Sequence, residues 1–266
     1  MDTKIEVRPG RLMNLDIREN PTSDTTIFFI HGLGGRGEQW RDQIAYFQGK
    51  YSLIIPDLLG HGKSDKPQRG KNNPYDFMEF CRDLQIIFDQ YRSEKNVVIG
   101  HSYGGALAVY LTFYNQKFIQ KQILIAPARC KPFTNIPALY YLPASFLELI
   151  RPYLENSFRG AAFDPSAKSE LLKTEAAAVK YNPLYVIKYM LQGRNSIPKL
   201  DLSQLHTPTL ILTGVSDKII LPEDIKDFYA KLPNHQFVSL EHTGHLVQLE
   251  QPEKVNQLIA NFLNSV

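Results

Sequence analysis

The stretch Val97-Val98-Ile99-Gly100-His101-Ser102-Tyr103-Gly104-Gly105-Ala106-Leu107-Ala108 constrains this chain more than any other. Three β-branched apolar residues read as a short buried strand. Ala106, Leu107 and Ala108 open a helix. Between them lies Gly100-x-Ser102-x-Gly104, a G-x-S-x-G turn from strand to helix. A serine lifted above a sheet sits on a tight, strained turn. A side chain two residues before or after it would strike the adjoining strand or helix, so hydrogen is favoured at both places. The helix that follows aims its N-terminal amides at negative charge forming near the serine. The plainer role for Ser102 is a helix cap, and the rest of the chain has to decide between the two.

Strands and helices alternate around this turn. Short alternating stretches near Ile5, Val7, Leu15 and Ile17 read as a strand pair, and Asn20-Pro21-Thr22-Ser23-Asp24 as a turn. Ile27–Ile30 is a buried strand that runs into His31-Gly32-Leu33-Gly34-Gly35-Arg36-Gly37, and a helix is expected from about Glu38 to Gln48. A strand at Leu53–Ile55 precedes the Pro56–Ser64 loop, and a helix near 76–92 follows, with Leu84, Ile87, Phe88 and Tyr91 at helical spacing. Gln122–Ala126 is a further strand. This order predicts a parallel sheet covered on both faces.

The alternation breaks after Pro127. Residues 129–200 read as a helical cap, or lid, inserted into a core made of 1–128 and 201–266. Phe133, Tyr140, Tyr141, Phe146, Phe158 and Phe163 crowd its first half. Two helices are expected at Ser169–Lys180 and Pro183–Gln192, the second with Asn182 as cap and Pro183 in its first turn. The pattern then resumes, with strands at Thr209–Leu212 and Phe237–Leu240, a helix at Pro222–Leu232 and one last helix at Val247–Phe262.

If Ser102 is a nucleophile it needs a base, and the base needs an acid partner. The strand at 209–212 leads to Asp217, and the strand at 237–240 leads to Glu241-His242-Thr243-Gly244-His245. Both loops fall at the carboxyl edge of the sheet, where ligand sites of open α/β sheets gather. His245 is preferred over His242 because Gly244 frees its loop and a helix follows almost at once. The order Ser102, Asp217, His245 is that of a nucleophile elbow with its acid and base downstream. Two backbone amides are then needed for the oxyanion, and those of Tyr103 and Leu33 are the candidates. His31, His61 and Asp57 read as hydrogen bonders that organise loops.

Two look-alikes need separate treatment. Gly32-x-Gly34-x-x-Gly37 follows a strand, opens a helix, and has Asp57 about 20 residues on, as a dinucleotide site would; it leaves Ser102, Asp217 and His245 unexplained. Gly62-Lys63-Ser64 resembles the end of a phosphate loop, but Asp57 stands where the first glycine is required.

Together, His31-Gly32, Pro56-Asp57 with Gly60-His61-Gly62-Lys63-Ser64, the elbow Gly100–Gly105, Asp217 with Pro222, and Gly244-His245 resemble the α/β-hydrolase superfamily over essentially the whole chain. The resemblance implies an α/β fold with a mostly parallel eight-stranded sheet, helices on both faces and a helical cap inserted after strand six. It implies a serine hydrolase of the carboxylesterase or lipase type, acting through an acyl-enzyme without a cofactor. Dehalogenases and epoxide hydrolases of the superfamily carry aspartate where Ser102 stands. Carbon–carbon hydrolases often have tryptophan after the histidine, where this chain has Leu246. The oxyanion loop lacks the triple-glycine form of one esterase group.

Composition narrows partners. With 43% hydrophobic and 21% charged residues the chain folds, and a net charge of +3 without basic blocks gives no sign of nucleic acid. Cys81 and Cys130 have no metal-ligand spacing. The charged N-terminus shows no signal peptide, and no apolar run reaches the ~18 residues that span a bilayer. A cytoplasmic protein acting on a small-molecule ester is expected, with peripheral membrane contact through the cap left open. Cap aromatics facing the site would make an acyl slot; the alternative is that they glue the cap to the sheet. Arg129, Arg151, Arg159 and Arg194 are candidates for a substrate carboxylate or phosphate, or for solvated surface. Thioester, lactone or carbon–carbon hydrolysis, and a non-catalytic ligand-binding role on the same fold, remain alternatives.

Overall fold

A computed structural model describes residues 2–132, 136–179 and 182–265. Eight strands form one sheet in the order β1-β2-β4-β3-β5-β6-β7-β8. They are β1 Asp2–Arg8, β2 Arg11–Arg18, β3 Thr25–Ile30, β4 Ser52–Pro56, β5 Lys95–His101, β6 Ile119–Ile125, β7 Thr209–Gly214 and β8 His235–Leu240. β2 runs against the rest, pairing antiparallel with β1 and β4; β3 to β8 pair parallel with one another.

Each central strand splits its side chains between two cores. Phe28, Ile54, Val98, Leu124 and Ile211 face one, against helices α2 (Phe77–Tyr91), α3 (Tyr103–Tyr114) and α8 (Pro222–Tyr229). Ile27, Phe29, Ile99, Ile123 and Leu212 face the other, against Trp40, α1 (Arg41–Phe47) and α10 (Pro252–Asn264). Burial on both faces is why these strands read as unbroken apolar runs. The edge hairpin β1–β2 is tied to α2 by charge: Arg8 Nε donates to Asp83 Oδ1 at 2.7 Å, and Arg11 Nε to both Asp83 oxygens at 2.9 Å.

The chain passes from β3 to β4 on one side, then crosses back to lay β5 on the other side of β3. The loops leaving β3 and β5 therefore meet at the point where strand order reverses, the place where open α/β sheets hold ligands. Ile30 pairs with Gly100, His101 with Ile125, and Gly214 with Leu240, so the carboxyl ends are level.

Between β6 and β7 the described residues form 3₁₀ turns at Ala138–Tyr141, Arg194–Ser196 and Leu202–Gln204 and four helices, α4 (Ala144–Leu149), α5 (Arg151–Ala162), α6 (Ser169–Val179) and α7 (Leu184–Gly193). The expected end of α6 at Lys180, and Phe133, lie outside the described residues.

Two local expectations are corrected. The last helix is two, α9 (Val247–Glu250) and α10, because Pro252 pushes Gln251 to φ −132° and ψ 61°, out of the helical region. Asn182 does not cap α7. The helix begins after Pro183, Glu148 Oε1 accepts from Leu184 N at 2.9 Å, and the Asn182 amide is drawn away to Gly34 O at 2.6 Å.

Asp83 is fully buried between two arginines. Replacing one partner of a buried pair leaves an uncompensated charge, so Asp83→Ala should lose about 3–5 kcal/mol of unfolding free energy. Urea denaturation checks this, and a loss below about 1 kcal/mol would contradict it.

Candidate active site

Ser102 stands between β5 and α3 with φ 52° and ψ −119°, a positive φ rare outside glycine. Its side chain makes no capping bond to α3, so the helix-cap role does not apply. The turn is held from outside. Ser102 N donates to Ile125 O at 3.0 Å, and Ala128 N and Gly105 N donate to Ser102 O, each at 2.9 Å. A Cβ on Gly100 would come within 2.4 Å of Gly104 O, and one on Gly104 within 2.2 Å of Ile30 O. These are the collisions with helix and strand that the motif implies.

The loop after β3 passes directly over this turn: a Cβ on Gly32 would lie 2.9 Å from Ser102 Cβ. Leu33 follows on that loop. Among the described residues, neither the Leu33 nor the Tyr103 N–H has a hydrogen-bond acceptor. Both amides flank Ser102, one along the chain and one across the β3–β5 switch.

Three buried histidines pin the loops around Ser102. His31 Nδ1–H donates to Gly32 O at 2.8 Å while its Nε2 accepts from Leu58 N at 2.9 Å. His61 donates to Leu59 O at 3.2 Å and accepts from Gly34 N at 3.1 Å. His101 Nε2–H donates to His245 O at 3.0 Å, and the two rings lie 4.9 Å apart. Accepting from an amide requires an uncharged ring. Burial holds His31 down to about 4 and His61 to about 3, and pushes His101 well below its ordinary value. Asp57 accepts from Gly37 N at 2.7 Å and Lys63 N at 2.9 Å. The carboxylate that a ribose would need is already used by its own loops, which removes the dinucleotide reading.

His245 Nδ1–H donates to Asp217 Oδ2 at 2.7 Å, with both side chains buried. Asp217 Oδ1 accepts from Ile219 N at 2.8 Å and Ile220 N at 3.0 Å, which fixes the carboxylate plane. The bond at Nδ1 sets the tautomer and leaves Nε2 to accept a proton. The competitor His242 is exposed, at φ 53°.

Residues with no local signal of a role surround this pair. Glu250 accepts from Gly244 N at 3.1 Å and from Asp164 N at 2.9 Å. Asp164 accepts from the Ser216 hydroxyl. Hydrogen bonds from Ser166 and Ser216 hold the Asp164 carboxyl down at about 2, whereas burial pushes that of Glu250 up. Asp164-Pro165-Ser166 reads from sequence only as a turn, and Glu250 as the polar end of an apolar run.

Of the candidate arginines, Arg151 is engaged by Glu148 and Glu155, and Arg159 by Asn156. Arg129 lies 3.9 Å from Asp224. Tyr141, Phe146, Leu149 and Tyr153 are exposed on the outer segment and do not glue it to the sheet, whereas Phe163 is buried against Leu246 and Leu249 and does hold it to the rest of the fold. Cys81 and Cys130 are both free and buried.

A model described as the alpha/beta hydrolase family matches residues 27–258. The chain belongs to the α/β hydrolase family. Protein ABHD8 of Mus musculus is 32% identical over 96% of this chain and 60% of its own length, so the chain spans about 60% of that relative. An esterase from Thermogutta terrifontis superposes with a TM-score of 0.82 at 23% identity, covering 99% of this chain and 98% of its own. The esterase EaEST from Exiguobacterium antarcticum gives 0.82 at 19% identity, with all of both chains covered. At these identities the two structures establish the shared fold. Among the described residues no helix of this α/β hydrolase is long and apolar enough to cross a membrane.

The neutral histidines set an acid limit on this fold. Below pH 6.5 the unfolded chain takes up protons that folded His31 and His61 refuse until about pH 4 and about pH 3. Stability therefore falls as pH drops through that window, by up to about 1.4 kcal/mol per pH unit for each ring. Urea midpoints at pH 7 and pH 5 test this, and an unchanged midpoint would contradict it.

Proposed function

We propose that this α/β hydrolase is a serine hydrolase that cleaves carboxylic esters, with Ser102 as nucleophile, His245 as base and Asp217 as its acid partner. The observation that carries the reading is the 2.7 Å bond from His245 Nδ1 to Asp217, on the same rim as a serine held at φ 52°. In the proposed cycle Ser102 Oγ attacks the ester carbonyl as His245 Nε2 takes its proton. The Leu33 and Tyr103 amides hold the oxyanion, and His245 returns the proton to the departing alcohol. Water, deprotonated by His245, then releases the acid and restores Ser102. Bonds between serine and base commonly tighten when substrate arrives.

The segment 129–200 acts as a cap in this reading, with acyl or lipid-like esters favoured over sugars or peptides; Tyr141, Phe146 and Phe158 stand on its exposed outer side, so an acyl slot would be lined by other side chains of the segment. Thioesters and lactones are open to the same machinery. The rival from another class is a ligand-binding protein that keeps the fold without turnover.

Fluorophosphonate modification distinguishes the enzyme from that rival: the wild-type protein should label at Ser102, and a folded protein that does not label overturns the reading. Ser102→Ala should lower kcat on the order of 10⁴-fold, and near wild-type turnover would remove Ser102 from the mechanism. Across p-nitrophenyl esters of rising chain length, kcat/KM should rise with acyl length. Flat rates would remove the acyl slot.

A further inference from the structure

The end of α5 and the segment that follows cross both loops of the acid–base pair, bonding the neighbours of Asp217 on either side and the amide of His245 itself. Ala161 O accepts from Lys218 N at 3.1 Å, and Asp164 accepts from the Ser216 hydroxyl. Lys218 and Ser216 are the immediate neighbours of Asp217. Ala162 O accepts from His245 N at 2.6 Å. Glu250 then closes the crossing, one of its oxygens receiving both Asp164 N, at 2.9 Å, and Gly244 N, at 3.1 Å. The approach is tight: a Cβ on Gly244 would lie 2.4 Å from Ala162 O and 2.8 Å from Asp164 N. The two loops also touch directly, through Ser216 N and Thr243 O at 2.8 Å.

We propose that residues 161–164, clasped by Glu250, form a strap that holds Asp217 and His245 in register, with Glu250 and Asp164 as positioning residues. The inference rests on the serine-hydrolase reading for its kinetic consequence. The strap acts on chemistry because it fixes two backbones whose side chains share one short hydrogen bond. A displacement of about 1 Å at a reacting group can cost on the order of 10²-fold in rate. None of the strap's hydrogen bonds goes to Ser102 or to the Leu33 and Tyr103 amides, so loosening the strap acts on kcat and leaves KM nearly unchanged. The strap also anchors one end of the segment between β6 and β7 to the catalytic rim.

The test compares Glu250→Ala, Glu250→Gln, Asp164→Ala and the Ala double variant, each corrected for folded fraction by circular dichroism. Three readouts are taken: the rate of fluorophosphonate modification, kcat and KM on a short p-nitrophenyl ester, and the low-field proton signal of His245 Nδ1–H, assigned by its loss in His245→Gln. Glu250→Ala should lower both the modification rate and kcat about 10²-fold, leave KM within about threefold, and broaden the low-field signal. Glu250→Gln should recover to within about tenfold of wild type, because an amide oxygen accepts from the same two N–H groups. Asp164→Ala should cost about tenfold, and the double variant less than the product of the two. If Glu250→Ala folds poorly, Asp164→Ala and Glu250→Gln carry the comparison.

A folded Glu250→Ala with wild-type kcat and an unchanged low-field signal overturns the proposal. So does a loss confined to KM, or a Gln variant as impaired as the Ala variant. Failure of the wild-type protein to label would defeat the serine-hydrolase reading instead. The low-field signal would still decide whether the strap holds Asp217 to His245.

Discussion

A serine backbone held at φ 52° is the constraint around which the rest of this α/β hydrolase is arranged. Such a conformation costs about 1–3 kcal/mol and persists only where the surroundings over-determine it. Here they do. The peptide groups of Ser102 are bound by Ile125, Ala128 and Gly105, so the turn is gripped by β6, the loop after it and the helix that follows. Gly100, Gly104 and Gly32 let strand, helix and neighbouring loop close in to distances no side chain would allow. The strain is sustained by packing across three strands, which ties the geometry of the site to the integrity of the sheet.

The loops beside this turn are built from polar groups with little access to water. His31, His61 and His101 each spend ring nitrogens on backbone groups, and Asp57 spends its carboxylate on two amides. In a low-dielectric interior such bonds rigidify the loops, whereas a buried polar atom without a partner among the described residues, such as His101 Nδ1, is costly. Four of the seven histidines thus take part in one assembly: three neutral pins and the proposed base. The pins keep uncharged rings close to the residue asked to accept a proton.

Two of the attachments of the segment between β6 and β7 bear on the proposed site. At one, Asn182 donates to Gly34 O, and buried Glu175 is reached by Arg36, Gln39 and Arg41, which binds the segment to the proposed oxyanion loop. At the other, residues 161–164 cross the loops of Asp217 and His245. Its outer surface, with Leu149 and Tyr153 among the most exposed large apolar residues of the chain, is left to solvent. One segment therefore has an inner side that orders the loops of the proposed site and an outer side free of the core.

Strand, turn and helix were legible because their signals are local. Apolar runs at 27–30, 97–99 and 209–212 mark strands buried on both faces, and G-x-S-x-G needs only its own neighbours to dictate a tight turn. The order of serine, aspartate and histidine at strand ends was equally readable, since a parallel sheet sends every carboxyl end to one rim. The choice of His245 over His242 was argued from sequence, but the bond to Asp217 is a tertiary fact. Asn182 illustrates what contiguous residues do not settle: an apt helix cap by local rules, it is claimed by Gly34, far away in the chain. Glu250 and Asp164 carry no local mark, because their partners are backbone amides and a hydroxyl brought close only when the sheet has folded. The chain's own periodicity and sterics determined the elements and the strained serine turn. Which polar atoms meet across the rim was decided by tertiary structure, because a hydrogen bond depends on distance in space and leaves no trace in the spacing of residues along the chain.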